Sequence, residues 1–263
     1  MRILVTNDDG VFAAGLQALA AALEAVGEVT IVAPEREQSA ISHAITMHKP
    51  LRVREVQVNG RTALVTNGTP VDCVLLAVRK LLAEPPEVVI AGINRGANLG
   101  EDILYSGTVS AAMEAALLDL PAFAISVVTR RVRDFTPAAR FAAALAPCLV
   151  EHPLPPRTFL NVNVPDCAWE EIRGVRIVRQ GFRNYRSTYE ERQDPRGDTY
   201  YWIGGELPVD EPVPGTDIAA IREGYIAVMP VQLDLTAHAF LEELVGWQLE
   251  RLVHPPGEGT KDG

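Results

Sequence analysis

Two adjacent carboxylates, Asp8 and Asp9, follow a short apolar run and precede a glycine, in the order Asn7-Asp8-Asp9-Gly10. Ionised side by side they repel each other, so either a cation relieves them or one keeps its proton. Carboxylate oxygens suit hard cations such as Mg²⁺ or Mn²⁺. A dinucleotide site would instead place glycines here, to let a pyrophosphate approach the backbone. The pair alone leaves two readings level: a cation site, or a solvated turn in which Asp9-Gly10 is ordinary turn chemistry. A second segment tips the balance. Asn94, Gly96, Asn98 and Gly100 alternate with other residues, and Ser106-Gly107-Thr108 then opens an alanine-rich helix. Ser106 or Thr108 would cap that helix, and N–H groups left free at its start would hold an anion. A cation on carboxylates beside an anion-binding helix start is a site for a phosphate ester.

A third segment, residues 34–50, is a long polar loop (PEREQSAISHAITMHKP) of a length that tends to carry function. Ser39 and Ser42 offer hydroxyl oxygens, His43 or His48 could shuttle protons, and Arg36 could meet a substrate. For each of these the default from chemistry alone is an ordinary turn or solvated residue. Thr66-Asn67-Gly68-Thr69-Pro70 reads first as a capped turn from strand to helix, with a pocket-shaping role second.

The elements that would position these segments follow from periodicity. Residues 2–6 (RILVT), 29–33 (VTIVA), 87–91 (EVVIA), 122–128 (AFAISVV) and 159–164 (FLNVNV) are short apolar runs, fit for strands buried on both faces. Between the first two, Leu16, Leu19 and Leu23 repeat at i, i+3, i+7, which predicts a helix ended by Gly27. Residues 51–58 and 61–66 flank Asn59-Gly60 and predict a hairpin. Pro70 opens a helix to about residue 82, and further helices are expected over 109–118 and 137–150. The alternation predicts an α/β fold: a doubly wound, mainly parallel, Rossmann-like sheet with a C-terminal β-hairpin extension. In such sheets ligands bind beyond the carboxyl ends of the strands, where all three segments should converge. Residues 1–173 form the expected catalytic core. Residues 174–253 supply strands over 175–180, 199–203 and 225–236, a polar and aromatic hairpin between the first two, and a terminal helix over 240–252. Residues 254–263 are expected to be a disordered tail.

Composition narrows the function classes. The 263 residues include 24 Lys plus Arg against 34 Asp plus Glu, a formal net charge of −10. A chain this acidic does not hold nucleic acid or an anionic membrane by its general field, so a phosphate must be met by a local device. Hydrophobic residues at 48% and charged residues at 22% exclude wholesale disorder. No stretch approaches the roughly 20 apolar residues of a membrane span. Three cysteines in no C-x-x-C pair, and an N-terminus without the apolar run of a signal peptide, lead us to expect a cytoplasmic protein.

The blocks VTNDDG (5–10), PEREQSAISHAIT (34–46), TNGTPVDCV (66–74) and GINRGANLGEDILYSGTVSAAMEA (92–115) together resemble the SurE (survival protein E) family. The resemblance implies a metal-dependent phosphomonoesterase that releases phosphate from nucleoside 5′- and 3′-monophosphates, and possible action on short polyphosphate. By motif matching the ligands of one divalent metal ion per subunit, Mg²⁺ or Mn²⁺, fall on Asp8, Asp9, Ser39 and Asn94. Asn98, Ser106, Gly107 and Thr108 match the phosphate-binding residues, and Asp8, Asn98, Ser106 and Thr108 the catalytic set. Ser39 enters by resemblance only. The resemblance also implies a homodimer or homotetramer built through the C-terminal half. Ala115 departs from the pattern, which often has Gly there, and bears on nothing catalytic.

Rival readings are weaker on the residues. A receiver-like signalling domain needs a phosphoacceptor Asp where Asn94 stands and a Lys at the end of a later strand, and no suitable Lys appears after Val128. A haloacid-dehalogenase-like phosphatase needs Asp-x-Asp. A non-catalytic metal- or nucleotide-binding protein on the same fold is the main alternative.

Overall fold

The computed structural model describes residues 1–129, 132, 134–184, 187–205, 209, 210 and 212–253. Its strands are β1 (Arg2–Thr6), β2 (Glu28–Pro34), β3 (Val53–Val58), β4 (Arg61–Thr66), β5 (Val88–Arg95), β6 (Ala122–Val127), β7 (Thr158–Val164), β8 (Val175–Ile177), β9 (Arg183–Asn184), β10 (Ser187–Gln193), β11 (Thr199–Gly205), β12 (Val209–Asp210) and β13 (Ile226–Gln232). Its α-helices are α1 (Ala14–Leu23), α2 (Pro70–Leu76), α3 (Gly107–Leu117), α4 (Thr136–Glu151), α5 (Asp217–Arg222) and α6 (Leu241–Val245).

Nine strands form one sheet in the order β3-β4-β2-β1-β5-β6-β7-β13-β8. β1 pairs parallel with β2 and β5, β5 with β6, and β6 with β7; β3 runs antiparallel to β4 across the Asn59-Gly60 turn. β10 and β11 form the antiparallel hairpin apart from it. The central strands are buried along their length because helices cover both faces: α1 packs on α4, and α2 on α3. Leu16, Leu19 and Leu23 are each fully buried, as their spacing predicts. β1 lies between β2 and β5, and the chain winds outward from it in both directions. That reversal opens a crevice beside the carboxyl end of β1.

Several elements differ from expectation: the helix from Pro70 is α-helical only to Leu76 and closes in a π-helical turn over Ala77–Leu81, and the strand expected over 225–236 shortens to β13. β5 continues past Ala91 to Arg95, with a register shift between Ala91 and Asn94, so Asn94 sits on the strand opposite Ser126 of β6. The expected strand over 175–180 shortens to β8, which joins β13 at the sheet edge. A short helix, α5, appears where none was expected, capped by the Thr216 side chain. The terminal helix is broken: turns at His238–Phe240 and Leu249–Leu252 flank α6, and Gln248 takes a left-handed conformation (φ 53°). The expected tail at 254–263 lies outside the described residues.

Two compact units emerge, Met1–Val231 and Gln232–Gly263. In the second, Phe240 and Trp247 meet edge to face at 5.8 Å, and His238 Nε2 lies 2.6 Å from Asp234 Oδ2. Among the described residues no helix is long and apolar enough to cross a membrane.

Candidate active site

The loop after β1 turns back immediately. Asn7 Nδ2 donates to the Gly10 carbonyl at 3.0 Å, and Val11 N–H to the Pro34 carbonyl at the end of β2 at 3.0 Å. This turn leaves Asp8 4% exposed, pointing at the start of α3. The Thr108 hydroxyl donates to Asp8 Oδ1, and the Thr108 N–H also reaches that carboxylate. Position 107 has no room for a side chain: a Cβ there would lie 2.8 Å from Asp8 Cβ and 3.2 Å from Ile41 Cγ2. Glycine is therefore what lets Asp8 seat against the helix.

The helix start departs from the expectation of free N–H groups. Ser106 is the cap, its Oγ accepting from Val109 N–H at 3.1 Å, and Thr108 is committed to Asp8. The Gly107 N–H has no acceptor among the described residues and is the donor left for a bound anion.

Asp9 is half-buried, and its Oδ2 accepts from Arg95 N–H at 3.3 Å, which brings it to the end of β5 beside Asn94. Asn94 Nδ2 donates to the Gly96 carbonyl at 3.0 Å, leaving its oxygen side available as a ligand. Burial pushes the Asp8 carboxyl up to about 6, with a smaller push from Asp9; burial also raises Asp9.

The 34–50 loop closes on the same point. Gln38 N–H donates to the Asp8 carbonyl at 2.7 Å, and Ser42 N–H to the Tyr105 carbonyl at 2.9 Å. Ser39 is adjacent to that first contact but exposed, with its hydroxyl on Glu37 Oε1 at 2.6 Å. Ser42 Oγ donates to the Leu104 carbonyl at 2.7 Å, which makes it a loop anchor. His43 Nε2 lies 3.0 Å from Glu114 Oε2 of α3, close enough for an ion pair but out of hydrogen-bond alignment. His48 and Arg36 are exposed. The Thr66–Pro70 turn supports the loop from below. Thr69 and Asp72 form a reciprocal capping box on α2, while Thr69 Oγ1 donates to Ala44 O at 2.7 Å and Asp72 Oδ1 accepts from Thr46 N–H at 3.1 Å.

Asn98 is buried and turned toward the sheet. Its Nδ2 donates to Ser126 Oγ at 2.8 Å; its carbonyl accepts from Asn161 and Asn163, and its N–H donates to Asn163 Oδ1. Sequence reasoning missed Ser126, Asn161 and Asn163. The signal was present: two asparagines two apart in the buried run FLNVNV share one face of a strand and need polar partners there.

The donors therefore cluster as Asp8, Asp9, Asn94 and the Ser39 loop on one side, with Ser106, Gly107 and Thr108 on the other. This set fits a hard cation: one buried and one half-buried carboxylate, both raised by burial, an amide oxygen and a hydroxyl. No trio of His, Cys, Asp and Glu gathers among the described residues. A cavity of about 500 Å³ opens at the amino end of the sheet, near Arg2, Glu28 and Glu87, and its polar groups pair with one another, Arg2 with Glu84 and Glu87.

The chain is similar to known proteins over most of its length. Residues 3–187 match the family model described as "Survival protein SurE". The 5′-nucleotidase SurE of Geobacter sulfurreducens is 52% identical over 250 residues, 95% of this chain and 94% of the relative. That of Myxococcus xanthus is 50% identical over 251 residues, with 95% and 94% covered. The crystal structure of the SurE protein from Aquifex aeolicus superposes with a TM-score of 0.82 at 38% identity, covering 94% of this chain and 99% of that one. The chain belongs to the SurE family.

Proposed function

We propose that this chain is a nucleotidase that hydrolyses nucleoside 5′- and 3′-monophosphates to nucleoside and phosphate, with one divalent cation, Mg²⁺ or Mn²⁺, per subunit. The observation that carries the reading is the buried Asp8 carboxylate held against the α3 start, with Asp9 beside it. The names of the curated relatives support it. Asp8, Asp9, Ser39 and Asn94 would hold the cation. Bound there, the cation supplies polarisation of a phosphate oxygen and activation of a water. The chain's own residues do the rest. Thr108 fixes the Asp8 rotamer by holding Oδ1, and that carboxylate would orient the attacking water. The Gly107 N–H, the Ser106 hydroxyl and the dipole of α3 stabilise charge on the equatorial oxygens. Asn98 is read as phosphate-binding on the resemblance alone, and a phosphate oxygen would have to displace Ser126 from its Nδ2. Short polyphosphate presents the same terminal group and belongs to the same reading.

We assign the chemistry to residues 1–173 and assembly into a homodimer or homotetramer to 174–253, in the cytoplasm. The test is phosphate release from 5′- and 3′-nucleoside monophosphates with Mg²⁺, with Mn²⁺ and with chelator. Metal-dependent release supports the reading. Tight nucleotide binding without release would support the non-catalytic alternative.

A further inference from the structure

We infer that Asp217 is a positioning residue for the phosphate side of the site. Its carboxylate clasps the turn at Gly100–Leu104 and thereby sets where Ser42 and the start of α3 lie. The kinetic part of this inference rests on the nucleotidase reading; the structural part rests on geometry alone.

Asp217 is fully buried at the first position of α5. A carboxylate in that position is costly to bury unless donors surround it. Three backbone N–H groups do: Ile218 at 2.9 Å and Gly181 at 2.8 Å on Oδ1, and Gly100 at 2.8 Å on Oδ2. Stabilising α5 needs only the first of these. The second oxygen is given wholly to Gly100, 117 residues away in the chain.

The grip on Gly100 is two-sided. Its carbonyl accepts from Gln180 Nε2 at 3.1 Å, so both its polar backbone atoms are held by the C-terminal segment. The neighbours leave no slack. A Cβ at Gly181 would fall 2.7 Å from Asp217 Oδ1, and one at Gly100 would fall 2.9 Å from Arg183 Cγ. Arg183 N–H also donates to Glu101 Oε2 at 2.7 Å, and its guanidinium pairs with Asp102.

From this turn the contacts run into the site. The Asp102 carbonyl accepts from Tyr105 N–H at 3.0 Å and from Ser106 N–H at 3.1 Å, placing the cap of α3. The carbonyls of Leu104 and Tyr105 receive Ser42, and so fix the loop that carries Ser39. Asp217 touches neither Asp8 nor Asp9, so its effect passes through the turn.

Asp217→Asn separates the two roles. The amide oxygen can keep Gly181 and Ile218, while the amide NH₂ then faces the Gly100 N–H, donor against donor. Gln180→Ala loosens the same peptide from a partly exposed position and serves if the first variant does not fold. We would measure KM and kcat for adenosine 5′-monophosphate, inhibition by inorganic phosphate, and hydrogen exchange over residues 98–108. The expected result is phosphate inhibition weakened by roughly tenfold, with KM raised alongside, from loss of a charge-assisted hydrogen bond. Exchange should quicken over 98–108 and stay unchanged in β1 and β2. Folded variants with unaltered phosphate inhibition and unaltered exchange at 98–108 would overturn the inference, as would exchange that quickens evenly across the core. A wild-type protein that releases no phosphate would instead count against the nucleotidase reading, and the exchange pattern would then decide the clasp by itself.

Discussion

Asp8 is acted on by burial, a helix start and a neighbouring carboxylate at the same two oxygens, and each effect traces to a named residue. Gly107 supplies the space, Thr108 the hydrogen bonds and Asp9 the added charge. Gly107→Ala would press a methyl into Asp8 and Ile41. It should destabilise by about 1–3 kcal/mol and, by displacing Asp8, lower kcat by about a hundredfold. Thermal melts and steady-state rates check both, and wild-type activity in this variant would show that the close seating of Asp8 is dispensable. Ser39 is a sharper case, because its hydroxyl is exposed and bonded to Glu37. Ser39→Ala should weaken Mn²⁺ binding by about 10–100-fold, the scale of a lost partner in a metal site, with little change in Tm. Calorimetric titration with Mn²⁺ would show it; unchanged affinity removes Ser39 from the ligand set.

Elements explain why these residues meet. The loop after β2 is held from above by Ser42 on the Leu104 and Tyr105 carbonyls, and from below by the cap of α2. Thr69→Ala removes a cap and the bond to Ala44 together. It should cost about 1 kcal/mol, a fall in Tm of about 2–4 °C. Because Ala44 lies close to Ser39 in the loop, KM for nucleotide should rise as well; a variant with lowered Tm and unchanged KM would confine Thr69 to the helix. The alternation of apolar runs and helices made the central sheet legible from sequence, since buried parallel strands carry their signal locally. That Asp8 and the Ser106–Thr108 start share one locus was legible too, because each directly follows or opens an element whose place in the sheet the apolar runs set. The continuation of β5 to Arg95 was hidden behind Gly92, Asn94 and Gly96, residues that read as loop. The clasp between Asp217 and Gly100 was hidden by distance along the chain, and α5 by its brevity. The broken terminal helix looked continuous because Phe240, Leu241, Leu244 and Val245 carry a helical spacing; without the buried face that sustains such a helix, propensity alone did not extend it.

At the scale of the whole molecule, exposed apolar side chains recur on the hairpin strand β11 and within the C-terminal unit. On β11, Tyr201, Trp202 and Ile203 are 60%, 60% and 77% exposed; in the C-terminal unit, Leu235 and Val245 are 89% and 78% exposed. Surfaces of this kind serve contacts between chains. If the chain assembles through residues 174–253 as proposed, Ile203→Glu with Val245→Glu should reduce the mass in light scattering to that of a single chain while the circular dichroism of the core persists. An unaltered mass would place the assembly surface elsewhere. The central claim, however, is that an acidic pair and its cation perform the hydrolysis. Its most direct test is to measure phosphate release from adenosine 5′-monophosphate and Mn²⁺ binding on the same preparations of wild type and Asp9→Asn. The prediction is that release by the wild type stops with chelator, and that the variant loses metal affinity and turnover together. Full turnover by folded Asp9→Asn protein would contradict it.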